Sequence, residues 1–424
     1  MLLIQNARVM DPKTKLDKII DILVKDGKVA EMGIIPVKED MEILDAKGLV
    51  LAPGLIDIHV HFRDPGQMHK EDLQTGSRAA AAGGFTTVVC MANTVPKVDK
   101  IEVLEDIVER TKQLPIHVLQ SSAVTKSFAG RELVDMEAMK QAGAVGFTDD
   151  GIPIMNARVL RDAMLEAKRL GMPISLHEED ASLIVRSGVN AGEVADEFEF
   201  GGAPAIAEDV MVARDCMLAL DTGAAVDIQH ISSKNAVEMV RQFKAMGAHI
   251  VAEASPHHFT LTEDAVRTYG VMCKMNPPVR KEEDRQAIIR GLQDGTIEII
   301  ATDHAPHTTE EKGQGLEKAP SGIIGLETAL SLGITTLVKE GHLTLMELLE
   351  KMTSNPAGFY HIDAGYIAVG GAADFVLFDE NEVYTVEDNF ASKAKNTPFI
   401  GWELTGKVKY TICNGNIVYS DIQK

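Results

Sequence analysis

Residues 54–66, GLIDIHVHFRDPG, set His59 and His61 two apart at the end of an apolar run, with Arg63 next in the same phase. Side chains alternate across a strand, so residues i and i+2 face one side. Both imidazoles then share one space, and Pro65-Gly66 ends the strand just beyond them. Converging imidazoles suit a transition metal such as zinc, which takes histidine nitrogen at about 2.0–2.1 Å. A single HxH is equally compatible with two hydrogen-bonded histidines at a core edge, so the rest of the chain must decide.

The same residue types recur where later apolar runs end. Asn93 follows FTTVVCMA, Asp150 ends AVGFTDD, His177 follows PISL, His230 ends AVDIQH and Asp303 follows IEIIAT. One histidine or aspartate at a strand end is ordinarily a hydrogen-bonding residue. Six metal-competent groups (His59, His61, Asp150, His177, His230 and Asp303) on five different runs point instead to one shared metal site. A carboxylate that bridges or completes a cation should face the histidines. Asp150 fits, Asp149 competes with it, and spacing does not separate them. Asp303 can touch a metal and also move a proton, which makes it the general acid/base candidate. A bound metal brings the pKa of its water to about 7 and polarises a carbonyl.

Other polar residues read as support or as substrate contacts. His304 lies out of phase with Asp303, and His257 and His258 match no partner; all three read as supporting or packing residues. Asp57, in phase with His59, is placed to orient a ligand. Arg63 offers a bidentate fork for a carboxylate, or a salt bridge to Asp64. The amides of Asn93 and Asn276 suit an amide or imide edge, or a turn cap. His307 opens the stretch TTEEKGQGLEKAPSG, which reads as a lid or as a surface loop.

These groups need a frame that gathers strand ends. Eight strand-like runs, from LIDIHVH to IEIIATDH, are separated by helical stretches such as KIEVLEDIVERTKQ and NAVEMVRQFKAMG. That alternation predicts an α/β fold, a (β/α)8 TIM barrel over residues 54–361, with its site at the C-terminal strand ends. No GxGxxG supports the alternative of an open doubly wound sheet. Both chain ends carry antiparallel texture with Asp-Gly and Asn-Gly turn signals, which predicts a small composite β-sandwich domain from residues 1–53 and 362–424.

Composition narrows the function. The 424 residues hold 42 Lys+Arg against 63 Asp+Glu, a formal net charge of -21, which argues against nucleic acid as partner. An anionic substrate must therefore be caught by local cations. Four scattered cysteines without CxxC spacing indicate a reduced cytoplasmic protein, with neither a disulfide framework nor a thiolate metal site. The N-terminus lacks a signal-peptide h-region, and no run reaches the roughly 20 apolar residues that span a bilayer.

Taken together the motifs resemble the amidohydrolase superfamily and, within it, the class I bacterial dihydroorotases. They are PGLIDIHVHFRDPG (53–66), MANTVP (91–96), GFTDDG (146–151), SLHEED (175–180), IQHIS (228–232), KMNPPVR (274–280), ATDHAPH (301–307) and GIIGLE (322–327). The resemblance runs nearly end to end. It implies metal ligation by His59, His61, Asp150, His177, His230 and Asp303, with one or two zinc ions per subunit. It implies substrate contacts from Arg63, Asn93, Asn276 and His307 and from backbone around Ser321 and Gly322, where Ser321 replaces the usual bulky aromatic. The implied reaction is reversible cyclisation of N-carbamoyl-L-aspartate to L-dihydroorotate in pyrimidine synthesis. In the hydrolytic direction a metal-bound hydroxide would attack the ring amide while Asp303 shuttles the proton. Related hydantoinases and allantoinases carry a bridging lysine on the fourth strand, absent from GFTDDG. The rivals are such a cyclic amidase, or an inactive barrel serving as scaffold for aspartate transcarbamoylase. A homodimer and an association with aspartate transcarbamoylase are compatible with the resemblance.

Overall fold

The computed structural model describes residues 1–421, and its interior is built of short parallel strands. The terminal strands are β1 (Leu2–Asp11), β2 (Leu16–Lys25), β3 (Lys28–Gly33), β4 (Glu42–Asp45) and β5 (Val50–Pro53). The interior strands are β6 (Leu55–Val60), β7 (Phe85–Cys90), β8 (His117–Gln120), β9 (Ile174–Leu176), β10 (Val226–Ile228), β11 (Ile250–Ala254) and β12 (Ile299–Ile300). Strands β13 (Phe375–Thr385), β14 (Glu403–Cys413) and β15 (Asn416–Ser420) complete the set. β6-β7-β8 form one parallel sheet and β9-β10-β11-β12 another. Parallel bridges Ser122–Phe147 and Phe147–Ile174 join them on one side, and Val60–His304 on the other.

Helices return the chain between these strands, and their sequences explain why. The helix Ala157–Leu170 starts at Asn156, whose side chain accepts from the N–H of Arg158 (3.0 Å), and ends at Gly171 in the left-handed region (φ 65°). It buries Leu160, Ala163, Met164, Ala167 and Leu170, one face at helical spacing, in the same core as Val226 and Ile228. Truncating Leu160 to alanine there costs about 2–5 kcal/mol. Among the described residues no helix is long and apolar enough to cross a membrane.

Two expected strands are shorter than the sequence suggests, and both times a carboxylate takes over the backbone. In AVGFTDD only Phe147 bridges both neighbours. Beyond it Asp149 accepts the N–H groups of Val124 (2.8 Å) and Thr125 (3.1 Å), turning the chain. After β12 the Thr302 N–H and hydroxyl leave the ladder for Asp57, at 3.2 and 2.6 Å.

The two chain ends form one eight-stranded sheet, β15-β14-β13-β5-β1-β2-β3, with β4 also on β1. Its pairing is not wholly antiparallel as expected: β4 and β5 run parallel to β1. β3 already points the same way as β1, and residues 34–41 carry the chain back to the start before β4 begins. Residues 422–424, the end of the expected second segment of this domain, lie outside the described residues.

Glu327 ties the segment before β14 to the interior by accepting from the N–H groups of Ala391 (2.9 Å) and Ser392 (3.1 Å). Burial pushes its carboxyl up to about 7 from an ordinary 4.5. A raised folded pKa stabilises below pH 4.5, and that contribution is lost as pH rises through about 7. Wild type should therefore lose about 1–3 kcal/mol more than Glu327→Gln between pH 4.5 and 7. Urea unfolding at the two ends of that window measures it, and parallel pH profiles would remove Glu327 from the account.

Candidate metal centre

Asp57, buried in β6, sets the first part of the site. Its carboxylate accepts the His59 N–H at 3.0 Å and the Thr302 contacts above, binding β6 to the chain just beyond β12. It therefore grips backbone rather than an imidazole, and this brings His59 opposite Asp303. Burial raises its pKa to about 7 despite those hydrogen bonds.

Each imidazole is then turned by a partner. His59 Nδ1 lies 2.5 Å from Glu253 Oε1 on β11, which directs its Nε2 lone pair toward Asp150 Oδ1 (3.4 Å) and Asp303 Oδ1 (3.6 Å). His61 Nδ1 lies 3.0 Å from Asn93 Oδ1, leaving its Nε2 at 2.9 Å from Asp303 Oδ1 and 3.5 Å from Asp150 Oδ2. His177 Nδ1 and His230 Nε2 lie 2.9 Å apart, each 3.8 Å from Asp150 Oδ1. Two triads result, His59–His61–Asp150 and Asp150–His177–His230, with Asp150 common to both. The six residues expected as ligands are gathered in one buried cluster. Asp149 is not among them; its carboxylate holds Val124 and Thr125.

The donor set fits a divalent transition metal. His59 Nε2, Asp150 Oδ1 and His230 Nδ1 are buried without a hydrogen-bond partner, and each such atom costs about 1–3 kcal/mol if left so. Separations of 2.9–3.8 Å match ligands about 2.1 Å from a common ion, whose tetrahedral edges are about 3.4 Å. Burial opposes charge on both partners of the cluster. Even so, the His59, His61 and His177 rings hold the Asp150 carboxyl well below its usual range, and Glu253 and Asp150 hold His59 well above its own. Burial, then the fields of His177 and His59, push His230 well down, keeping it a neutral donor. His230 (φ 33°) and Asp303 (φ 51°) occupy left-handed backbone, as does Arg63 (φ 59°). Such strain costs on the order of 1–3 kcal/mol per residue and concentrates at functional sites.

The expected substrate contacts line the rim. Arg63 is half-buried, hydrogen-bonds the Pro306 carbonyl (3.3 Å) and lies 3.4 Å from His307 Nε2. No carboxylate pairs with it among the described residues, because Asp64 is held by Arg110 at 2.9 Å. His307 donates from Nε2 to the Ser321 carbonyl (2.8 Å), and burial, helped by Arg63, pushes its pKa down to about 2. Asn276 shares a cavity of about 430 Å³ with His177 and Lys274, and its buried Oδ1 has no partner. Asn93 uses both ends of its amide on His61 and Asp150 (3.3 Å).

The stretch after His307 folds into helical turns Thr309–Lys312 and Gly315–Lys318. Lys312, buried, donates to the carbonyls of Pro320 and Gly322 at 3.0 Å each, and burial lowers its pKa to about 7. Gly322 has φ 120°, and a Cβ there would meet Ala305 Cβ at 2.6 Å. Its N–H is bonded to the Lys274 carbonyl (2.8 Å), so the Ser321 N–H is the amide left open at this point.

His258 donates to the Pro277 carbonyl (3.0 Å), and His304 Nδ1 accepts from the Gly325 N–H (3.2 Å), so both support the frame. Glu253 and Lys312 escaped sequence reasoning. Glu253 was legible as a second acidic group at a strand end, in HIVAEAS, one residue inside the last. Lys312 carried no signal, since a lysine in a charged loop reads as solvated.

Buried imidazoles and carboxylates converging at the ends of parallel strands define a metal-dependent hydrolase of the amidohydrolase superfamily. Residues 48–236 match the dihydro-orotase-like family, and residues 322–419 match the amidohydrolase family. The chain is 58% identical over 421 residues to the dihydroorotase of Clostridioides difficile, covering 99% of this chain and 100% of that one. It is 53% identical over 423 residues to the dihydroorotase of Clostridium acetobutylicum, with 99% and 100% covered. Among solved structures, the L-hydantoinase (dihydropyrimidinase) of Arthrobacter aurescens superimposes with a TM-score of 0.88 at 26% identity, over 100% of this chain and 96% of that one. The chain belongs to the dihydroorotase family.

Glu253→Ala frees the His59 ring to rotate and to change tautomer. It should weaken metal retention by about 10–100-fold, measured as metal content after dialysis against graded chelator. Retention equal to wild type would show that His59 is held without Glu253.

Proposed function

We propose that this chain catalyses the reversible cyclisation of N-carbamoyl-L-aspartate to L-dihydroorotate and water, with zinc, in de novo pyrimidine synthesis. The observation that carries the reading is Arg63, a half-buried guanidinium without a carboxylate partner, at the rim of the imidazole–carboxylate cluster. A dianionic substrate supplies the missing charge, which explains how a protein of net charge -21 captures an anion.

In this reading His59, His61, Asp150, His177, His230 and Asp303 hold the metal, and Asp150, common to both triads, supports two ions per chain. When bound, zinc would supply Lewis-acid polarisation of the reacting carbonyl and activation of water at neutral pH. Arg63, His307 and the open Ser321 N–H fix the α-carboxylate, and Asn276 faces the ureido group. Asn93 acts chiefly by aiming His61 and Asp150 through its amide. Asp303 takes the proton from the carbamoyl nitrogen as the ring closes and delivers it to the departing oxygen, which becomes water with a second proton from solvent; on hydrolysis it returns a proton to the ring nitrogen. The Lys312 contacts hold the Ser321–Gly322 backbone in place for this recognition.

We further read residues 54–361 as one closed (β/α)8 barrel and residues 1–53 with 362–424 as a composite β-sandwich. The bridges at Phe147 and Val60–His304 support closure. One buried cluster drawing on β1, β2, β5, β13 and β14 supports a terminal sheet folded over its own face. A cytoplasmic location fits four buried, unpaired cysteines. Homodimerisation and docking to an aspartate transcarbamoylase belong to the same reading; size-exclusion of the protein alone and mixed tests both.

Turnover of L-dihydroorotate should vanish on chelation and return with zinc. Arg63→Met should weaken kcat/KM by about 2–5 kcal/mol, and Asp303→Ala should abolish turnover in a folded protein. An active Asp303→Ala would remove it from the proton-transfer role. Preference for hydantoins would favour the cyclic-amidase reading, against which stands Asp150 in place of a bridging lysine. A loaded protein inert to all of these would leave the scaffold reading.

A further inference from the structure

Composition argues against a thiolate metal site, because the four cysteines lack any paired spacing. Folding nevertheless brings one of them to a histidine and an aspartate from distant segments. His117 opens β8, Asp374 precedes β13 and Cys413 ends β14. Their ligand atoms lie within 4.8 Å of one another. His117 Nε2 is 3.1 Å from Asp374 Oδ2, close to the edge of about 3.3 Å between nitrogen and oxygen ligands of a tetrahedral zinc.

The surroundings prepare each donor. Asp374 Oδ1 accepts the Asn414 N–H at 2.6 Å, which fixes the carboxylate and turns Oδ2 to His117. The Cys413 sulfur is buried, and its thiol donates to the Thr86 carbonyl at 3.9 Å. Burial and then the neighbouring Asp374 carboxylate push this thiol well up, and a coordinating cation reverses that preference by taking the deprotonated form. The His117 side chain is 38% exposed, which gives an ion its entry path and room for water as a fourth ligand. All other free cysteines are buried without such a pair of partners.

We propose that His117, Asp374 and Cys413 form a second cation site, selective for a soft divalent ion such as zinc, that cross-links the terminal sheet to the start of β8. The site faces the N-terminal end of the interior strands, whereas the metal centre lies at their C-terminal ends. On binding, the thiol proton passes to solvent, the Nε2 proton of His117 is given up to solvent while Nδ1 carries the ring's one remaining proton, and the Nε2···Oδ2 contact gives way to two bonds to the cation; no oxidation is involved. A cross-link of this kind acts on stability, since binding free energy at a site assembled by folding is folding free energy.

The main centre contains only nitrogen and oxygen donors, so Co(II) separates the two sites spectroscopically. Bonded to a thiolate, Co(II) gives an intense near-ultraviolet charge-transfer band; at the main centre it gives only weak visible absorption. Metal-stripped full-length protein titrated with Co(II) should develop the near-ultraviolet band beside the visible absorption of the main centre, levelling at the intensity of one thiolate-bound cobalt per chain, and added zinc should bleach it. Cys413→Ser should lose that band while keeping the visible absorption and the turnover. His117→Asn, at a partly exposed position, gives a second test: its band should need cobalt higher by about 10-fold or more, at least the loss that removal of an outer partner causes. A wild-type protein without the near-ultraviolet band, or a Cys413→Ser variant that retains it, overturns the site and leaves a His117–Asp374 hydrogen bond beside a packed thiol.

Discussion

Asp57 accepts hydrogen bonds from the first interior strand and from the turn after the last at once, and the geometry of the imidazole–carboxylate cluster depends on that clasp. The N–H of His59 belongs to the first interior strand, and the N–H and hydroxyl of Thr302 belong to the turn after the last. The Val60–His304 bridge and the His61 N–H on the His304 carbonyl continue the same junction, so His59 and Asp303, far apart in the chain, lie side by side. The place of the Asp57 carboxylate in a dry interior is costly for a charge, as the pKa raised to about 7 records. The strain at Asp303, with φ 51°, persists because Thr302 on one side and the His61 N–H bonded to His304 on the other over-determine the turn.

From this clasp outward the site is a matter of paired opposites in low dielectric. His59 and His61 each have Nδ1 against a carboxylate or amide, which leaves their Nε2 atoms facing Asp150 and Asp303, while His177 Nε2 meets Glu179 and its Nδ1 lies with His230 Nε2 beside Asp150. The interior thus meets the requirement that buried polar atoms be satisfied by leaving one set of them for a cation. The rim does the converse. Arg63 has its natural neighbour, Asp64, taken by Arg110, so its positive charge is left without an ion pair among the described residues.

The terminal sheet and the loop after His307 hold these groups still. Lys312 has no ion pair among the described residues and instead caps two carbonyls flanking and within the Ser321–Gly322 turn. Gly322 permits that turn to press against Ala305. Glu327 in turn bonds the chain before β14, so the terminal sheet and the Ser321–Gly322 turn share supports with the interior.

Local chemistry made the ligand types legible in the sequence. HxH at the end of an apolar run, with histidines and aspartates closing later runs, is readable because strand alternation and strand ends are local properties. The same locality identified the α/β class and the two terminal β-segments. It failed wherever the partner came from elsewhere in the chain. Asp149 and Asp150 are adjacent and chemically alike, and only the nearby N–H groups of Val124 and Thr125 divide their work. Glu253 acquires its role from a ring 194 residues away, and Cys413 meets His117 only after the terminal sheet has folded. The parallel pairing of β4 and β5 depends on where a loop returns. Sequence by itself determined which groups could bind a metal and the periodicity that places them at strand ends. Tertiary structure alone decided which of them converge, because short-range hydrogen bonds and desolvation act on distances that sequence separation does not encode.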